Sequence, residues 1–190
     1  MARQQRRVRR VRSGVLAAAC ATWAAFAGGQ EVTEPALKAA YIFNVAKLTE
    51  WPPDVLPATG RFVACVYGDK PVGDALERTL KGRLLSGRAT TLVRVVLAGP
   101  LRSCHLLYVS GVTVPQLREA LAIVQGRPVL TISDADELAS AGSIVQIFDE
   151  HGTIRFDLNV ALATYARLLL SPKLLLLANR VHDVPAGVTR

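Results

Sequence analysis

Cys104 and His105 are neighbours in the sequence, and their side chains could together do chemistry. A thiol beside an imidazole could be a nucleophile with its base, half of a metal site, one end of a disulfide or the ordinary start of a strand. Adjacent side chains on an extended chain point to opposite faces, so His105 would be badly placed to take a proton from Cys104. We therefore predict no catalytic residue here, although a thiol enzyme remains an alternative.

The other two histidines, His151 and His182, do not complete a metal site. Zinc needs three or four donors, and neither the His-Glu-x-x-His nor the paired Cys-x-x-Cys pattern occurs. Gly68 and Gly73 allow tight turning into a helix, but their stretch lacks the lysine and hydroxyl of a phosphate loop. We expect His151 in an exposed hairpin turn and His182 at an exposed chain end, and we predict no metal, no cofactor and no enzyme activity.

Residues 1–27 have the pattern of a secretory signal peptide. Six arginines occur by Arg12 without any acidic residue, and a small, apolar stretch runs from Gly14 to Ala27. This stretch is too short for a stable transmembrane helix of about 20 residues, and its end matches a small-x-small cleavage pattern. We predict cleavage near Ala27, export to the periplasm and a single α/β domain over residues 28–190.

The charge of the mature chain argues against a nucleic-acid partner. The full chain has 23 Lys and Arg against 15 Asp and Glu, a net charge of +8. Six of the arginines belong to the signal peptide, so the mature chain keeps 17 basic against 15 acidic side chains, a net charge of about +2. The excess positive charge therefore serves export, by the Sec or the twin-arginine route, and not nucleic-acid binding.

Cys65 and Cys104 are the only cysteines of the mature chain, because Cys20 leaves with the signal peptide. A rival interpretation makes Cys20 a lipoprotein processing site, preceded by a poorly matching Ala17. An even pair of cysteines in an exported protein favours a disulfide, and two buried reduced thiols are the alternative.

A helix pattern begins the mature domain at Thr33, a good N-cap residue, and ends before Trp51 and two prolines. Four apolar residues recur at spacings of four, four and three and form one stripe: Leu37, Tyr41, Val45 and Leu48. Lys38 and Lys47 lie outside this stripe on the helix surface.

Apolar strand patterns then alternate with helix patterns. We predict strands within 61–69, 87–97, 104–111 and 127–133, and helices in the second half of 70–82, over 113–126 and after Ser133, where Asp136 completes a capping pair. Apolar strands separated by helices are typical of a parallel sheet that is covered on both faces.

The last third of the chain departs from this alternation. Two strand patterns are joined at Asp149–Gly152, and the second alternates like a half-exposed antiparallel strand, with Asp157 on its polar face. Asn159 and Ser171 are N-caps of two further helices, through 160–170 and 172–181. We therefore predict an α/β fold with a mixed, largely parallel sheet flanked by helices and an antiparallel hairpin on the C-terminal side.

Small or polar residues end three of the predicted parallel strands: Asp69, Ser110 and Ser133. Ligands of open α/β sheets gather beyond the carboxyl ends of the strands. These residues are a candidate ligand site, and the alternative is that they only turn and cap the chain.

Two leucine runs, Leu168–Leu170 and Leu174–Leu177, lie near the C-terminus. Four successive leucines cover every side of a helical turn, so this helix needs cover on more than one face. A deep core helix would meet that need, and so would an interface with a second copy or with another protein.

Six segments, in order across nearly the whole mature chain, resemble the YfiR family of exported bacterial regulators: AAYIFNVAKLTEWP, FVACVYGD, SCHLLYVS, VLTISD, GTIRFDLN and SPKLLLLA. The most specific part of the resemblance is the pattern aromatic-Asn-x-x-Lys-x-x-x-Trp-Pro. It is carried by Phe43, Asn44, Lys47, Trp51 and Pro52.

The resemblance implies a small periplasmic protein that binds and represses a membrane-bound diguanylate cyclase through the periplasmic region of that enzyme, lowering cyclic di-GMP and biofilm formation. It also implies that an outer-membrane lipoprotein can sequester the repressor, and that Cys65 and Cys104 are disulfide-bonded. Some relatives carry a second cysteine pair near the hairpin, and this chain has none there.

Family members also occur beside other membrane signalling proteins, so the partner is a diguanylate cyclase or a sensor kinase. The candidate partner-binding residues are Trp51, Leu174 and Leu177, and we also expect a homodimer. The alternative function is a periplasmic small-ligand sensor that uses the strand-end residues.

Overall fold

The sheet is built from buried apolar strands that alternate with helices. The computed structural model describes residues 33–57, 59–135 and 142–183. Its strands are β1 (Thr49–Glu50), β2 (Phe62–Gly68), β3 (Leu84–Leu85), β4 (Arg88–Arg94), β5 (Leu106–Ser110), β6 (Leu130–Ser133), β7 (Val145–Glu150), β8 (Thr153–Asn159), β9 (Leu169–Leu170) and β10 (Arg180–His182). Its α-helices are α1 (Glu34–Lys47), α2 (Lys70–Leu80), α3 (Val114–Val124), α4 (Val160–Tyr165) and α5 (Pro172–Leu177).

The described strands form one large sheet in the order β10-β8-β7-β6-β5-β2-β4-β3, and a separate small sheet pairs β1 with β9. Strands β4, β2, β5, β6 and β7 run parallel to one another, and β8 returns antiparallel to β7. The predicted mixed, largely parallel sheet with a C-terminal-side hairpin is confirmed. Its strand order follows from short crossovers that keep sequential strands close in space.

Helices cover both faces of the sheet, as a parallel sheet requires. Along β2, Ala64 and Val66 point into the core shared with α1 and α2, whereas Cys65 and Tyr67 point into the core shared with α3. This alternation places each successive side chain of the strand on the opposite face. Each fully buried large apolar side chain contributes about 1.5–3 kcal/mol to the free energy of unfolding.

The buried face of α1 differs from the predicted stripe. The helix is buried through Ala39, Ile42, Phe43, Val45 and Ala46, whereas the stripe residues other than Val45 are only half-buried. The two small alanines let the helix approach α2 and the sheet closely, which the larger stripe residues would prevent. Three of the four stripe residues, Tyr41, Val45 and Leu48, line a surface groove instead.

Helix α2 begins earlier than predicted, at Lys70, because Asp69 caps it and Pro71 is tolerated in a first turn. Gly73 lies inside this helix and not in a turn. A Cβ atom at Gly73 would lie 3.3 Å from Val66 Cγ1, so the glycine allows close packing of α2 on β2.

The two C-terminal helices are shorter than predicted. Helix α4 ends at Tyr165, and Arg167 then adopts a positive φ of 58°. Helix α5 ends at Leu177, because the backbone nitrogen of Asn179 donates to the Phe156 carbonyl and the chain continues as β10 beside β8. His182 is exposed as expected, but it lies in this edge strand and not in a frayed end.

The hairpin of β7 and β8 turns at His151 and Gly152, and His151 is exposed as predicted. Asp157 is buried, contrary to the alternation, and accepts a hydrogen bond from Asn179 Nδ2 at 3.0 Å. The predicted signal peptide, Cys20 and the predicted capping residue Asp136 lie outside the described residues. None of the described helices is long and apolar enough to cross a membrane.

Candidate partner-binding groove

A groove with a volume of about 480 Å³ is lined by residues of α1 and α5 and by one aromatic residue of β8. Two rings of its lining, those of Tyr41 and Phe156, pack edge to face with their centroids 6.2 Å apart. The groove is lined by Tyr41, Asn44, Val45, Lys47, Leu48, Phe156, Lys173, Leu174 and Leu177.

The position of α5 follows from contacts at its start. The backbone nitrogen of Ser171 donates to the Leu48 carbonyl at 3.0 Å, and the Ser171 hydroxyl accepts from the Leu174 nitrogen at 3.2 Å. The small β1–β9 sheet, in which Thr49 lies opposite Leu170, joins the same two segments. The end of α1 and the start of α5 are therefore held together, and the groove lies between their side chains.

The rim of the groove is cationic. Lys47 and Lys173 are exposed, and neither has an acidic partner among the residues that the structure describes. By contrast, Lys38 forms an ion pair with Asp134, and Lys70 forms one with Asp74. No acidic residue lines the groove, so its lining carries only positive formal charge.

Exposed leucines lie on α5 and on the strand that precedes it, and one of them, Leu177, lines the groove. Leu176 is 86% exposed and Leu177 is 59% exposed, although both follow the buried Leu174 on the same short helix. Leu169, on the preceding strand β9, is 67% exposed. The described part of the chain therefore covers α5 on one side only, which does not fit a deep core helix.

The three predicted partner-binding residues differ in exposure. Trp51 is buried, donates from Nε1 to the His105 carbonyl at 3.1 Å and packs edge to face on Phe62. Leu174 is also buried and forms part of the groove floor, whereas Leu177 presents its side chain at the surface. Trp51 does not line the groove, because its side chain contacts Phe62 and the His105 carbonyl in the core.

Asp69 directly follows β2, whereas Ser110 and Ser133 are the last residues of β5 and β6. These three strands are neighbours in the sheet. Each of the three residues already has a structural hydrogen bond. Asp69 Oδ1 accepts from the Val72 nitrogen at 2.9 Å, and the Ser110 carbonyl accepts from the Asp69 nitrogen at 3.0 Å. Ser133 Oγ accepts from the Ala135 nitrogen at 3.2 Å, and both serines are buried.

A partly buried polar cluster at the same edge was not predicted. Asp134 Oδ2 accepts from Lys38 Nζ at 2.6 Å and from the Tyr108 hydroxyl at 2.8 Å, and Lys38 also pairs with Glu34 at 2.8 Å. Burial alone would lower the pKa of Lys38, but the hydrogen bonds to Asp134 and Glu34 outweigh it and raise that pKa. Burial, and then the charge of Asp134, raise the pKa of Tyr108. The sequence offered one indication of this cluster, namely that Asp134 directly follows a predicted strand.

Cys65 and Cys104 form a disulfide with their α-carbons 5.8 Å apart, which confirms the predicted pairing. Both residues are buried, and β2 and β5 are neighbours in the sheet. No thiol is therefore left for nucleophilic chemistry among the described residues, and the thiol-enzyme alternative has no nucleophile there. The described residues also hold no group of three or more His, Cys, Asp or Glu side chains that could hold a metal ion.

The chain matches the model of the YfiR/HmsC-like family over residues 35–179. This range runs from the first turn of α1 to the residue before β10, so it includes every residue that lines the groove. No curated protein matches the chain. The chain belongs to the YfiR/HmsC-like family.

Proposed function

We propose that this protein is a periplasmic signalling regulator that binds the periplasmic region of a membrane-bound diguanylate cyclase, or of a similar membrane sensor, and represses it by protein contact. Cyclic di-GMP then falls. An outer-membrane lipoprotein would relieve repression by competing for the regulator. Export of the domain over residues 28–190, with the signal peptide removed, would bring it to this partner.

The observation that carries the proposal is the exposure of Leu177, which lines the groove, and of its neighbour Leu176 on the same short helix. Contiguous exposed apolar surface is typical of protein interaction sites. The groove is lined by Asn44 and Lys47 of the most specific family pattern and by Lys173 and Leu174 of the SPKLLLLA segment. The family resemblance and the surface chemistry thus point to the same place.

Repression by contact needs a difference in affinity between two states of the partner. A regulator that binds the inactive state about 100-fold more tightly than the active state shifts that equilibrium by about 2.7 kcal/mol. An exposed apolar surface without catalytic groups is sufficient for this task. A homodimer could use the same leucines, so self-association would compete with binding of the partner.

The test is complementation of a gene deletion with intracellular cyclic di-GMP as the readout. Leu177→Asp places a charge in the proposed interface, and Leu84→Asp is the matched control because Leu84 is 61% exposed on β3, at the opposite end of the sheet. Deletion should raise cyclic di-GMP. The native protein and Leu84→Asp should restore it, and Leu177→Asp should not, at equal periplasmic levels. An unchanged cyclic di-GMP level on deletion, or full repression by Leu177→Asp, would contradict the proposal.

The alternative function is a small-ligand sensor at the carboxyl ends of β2, β5 and β6, with Asp69, Ser110 and Ser133 as candidate contacts. The observation in its favour is the charged group of Lys38 and Asp134 at the same edge of the sheet. A thermal-shift screen of periplasmic metabolites tests it. A ligand whose stabilising effect is lost in Asp134→Asn would support this function, and a screen without any shift would count against it.

A further inference from the structure

We propose that the groove between α1 and α5 receives an acidic amphipathic helix of the membrane partner, about two turns long. This inference rests on the proposed function, because it names the partner segment that the same surface would bind. It is carried by an apolar floor combined with two cationic rim residues, Lys47 and Lys173.

The floor presents apolar side chains at helical spacing. Tyr41, Val45 and Leu48 lie four and three residues apart, and seven residues of helix span about 10 Å. Leu174 and Leu177 face the groove from α5, one turn apart. A partner helix with apolar residues at positions i, i+3 or i+4 and i+7 matches this length, as in other helix-in-groove interactions.

The two lysines of the rim favour a partner helix that carries negative charge. Lys47 and Lys173 have no acidic partner within the described part of the chain, and no carboxylate lines the groove. Charges at the edge of an interface add modestly to affinity, but they exclude like-charged partners and orient the attractive ones. A basic helix would be repelled by both lysines, and acidic residues that flank its apolar stripe would pair with them.

A second copy of this chain fits the groove less well. A two-fold contact places the same surface patch of each copy against the other. A contact centred on this groove would therefore bring Lys47 and Lys173 of one copy close to the same lysines of the other, without a carboxylate in either lining. Like charges in such a contact are destabilising.

The test uses the exported full chain and two synthetic helical peptides, each labelled with fluorescein. Both peptides carry the same leucine stripe, one with glutamates and the other with lysines beside it. Fluorescence anisotropy at low salt should show the glutamate peptide binding at least ten times more tightly, with a preference that weakens as salt is added. The variant Lys47→Glu/Lys173→Glu should reverse the preference. A far-UV circular dichroism spectrum like that of the native protein would show that the variant is folded.

A matched control, Lys70→Glu/Lys81→Glu, changes two exposed lysines of the α2 region, away from the groove, and should keep the ten-fold preference. Equal binding of the two peptides, no binding, or a preference that the groove variant leaves unchanged would overturn the inference. So would a dimer that the groove variant dissociates while neither peptide binds, because the occupant would then be a second copy. If deletion of the gene still raises cyclic di-GMP, such a result removes this inference and leaves the proposed function standing.

Discussion

His105 accepts a hydrogen bond at Nδ1 from the backbone nitrogen of Val63, at a distance of 3.0 Å. Its own backbone nitrogen donates to the Val63 carbonyl at 2.9 Å, and its ring stacks on Phe62 with centroids 5.4 Å apart. The side chain of the neighbouring Cys104 lies in the core on the other face of the sheet. His105 therefore joins β2 to the start of β5, and it has no catalytic relationship with the cysteine.

This arrangement predicts that folding stability depends on pH through His105. Burial lowers the pKa of His105, and the Val55 backbone opposes that effect only in part. A protonated Nδ1 could not accept from Val63, so the folded state favours the neutral ring. The free energy of unfolding should therefore be unaffected by this group well above pH 6.5 and fall as the pH drops below about 6.5, toward the lowered pKa.

Urea denaturation between pH 7.5 and 5.5 measures this dependence. The variant His105→Asn keeps an acceptor for Val63 but cannot titrate, so its midpoint should fall less steeply with pH. The loss of ring stacking should cost about 1 kcal/mol at pH 7.5. His151 and His182 remain in both proteins, so an identical pH slope in the two would show that His105 plays no part.

Removal of the disulfide should be strongly destabilising. Cys65 and Cys104 are 39 residues apart, and closing a loop of this length contributes up to about 4 kcal/mol in the chain-entropy model. Cys65→Ala/Cys104→Ala should therefore lose about 2–4 kcal/mol in urea denaturation. Reduction of the native protein should lower its free energy of unfolding by a similar amount. A loss below about 1 kcal/mol in both experiments would contradict this role of the disulfide.

The fold class could be predicted because its signals are local. Alternation along β8, the turn at Asp149–Gly152 and the apolar run of β5 each indicate one structure, and an even cysteine pair in an exported chain indicates a disulfide. The N-caps of Asn159 and Ser171 were predicted for the same reason, and both side chains accept the expected hydrogen bonds.

The face of α1 that packs against the protein core could not be predicted in this way. Ala39 and Ala46 carry a weak apolar signal, yet their small size decides which face of the helix packs. Strand β10 was missed because the edge of β8 offers backbone partners that no local pattern reveals. The burial of Trp51 likewise depends on Phe62 and His105, which are distant in sequence.

Two substitutions in the partly buried cluster of Lys38, Tyr108 and Asp134 should reduce stability by different amounts. Tyr108→Phe removes one hydrogen bond to Asp134 and should cost about 1 kcal/mol. Asp134→Ala leaves Lys38 with Glu34 as its only described acidic partner and should cost about 1.5–3 kcal/mol, because a hydrogen bond between two charged, partly buried groups is lost.

Thermal denaturation of the two variants checks this order. Asp54→Ala is the control, because Asp54 pairs with Arg167 at 2.7 Å but both side chains are exposed, so its loss should change stability little. A smaller effect for Asp134→Ala than for Tyr108→Phe would mean that the ion pair of Lys38 and Asp134 does not stabilise the fold.

Gly68, at the end of β2, is predicted to be intolerant of any side chain. It has a φ of +99°, and a Cβ atom there would lie 2.0 Å from the Ser110 carbonyl oxygen. Gly68→Ala should therefore cost about 3 kcal/mol or more. Gly82→Ala is the control, because Gly82 also has a positive φ, of +71°, but has nothing within 4 Å. That variant should cost about 1 kcal/mol, and equal losses would argue against the close approach of β2 and β5.

The central claim is that the exposed leucines of α5 contact a membrane signalling protein. Photo-crosslinking in living cells tests it most directly, with a photoreactive residue at position 176, which is 86% exposed, and at position 84 as the control, which is 61% exposed. We predict a light-dependent product from position 176 that contains a membrane protein with a diguanylate cyclase or sensor-kinase domain, and no such product from position 84. Products from position 176 that contain only this chain, or the same membrane protein crosslinked from both positions, would contradict the claim.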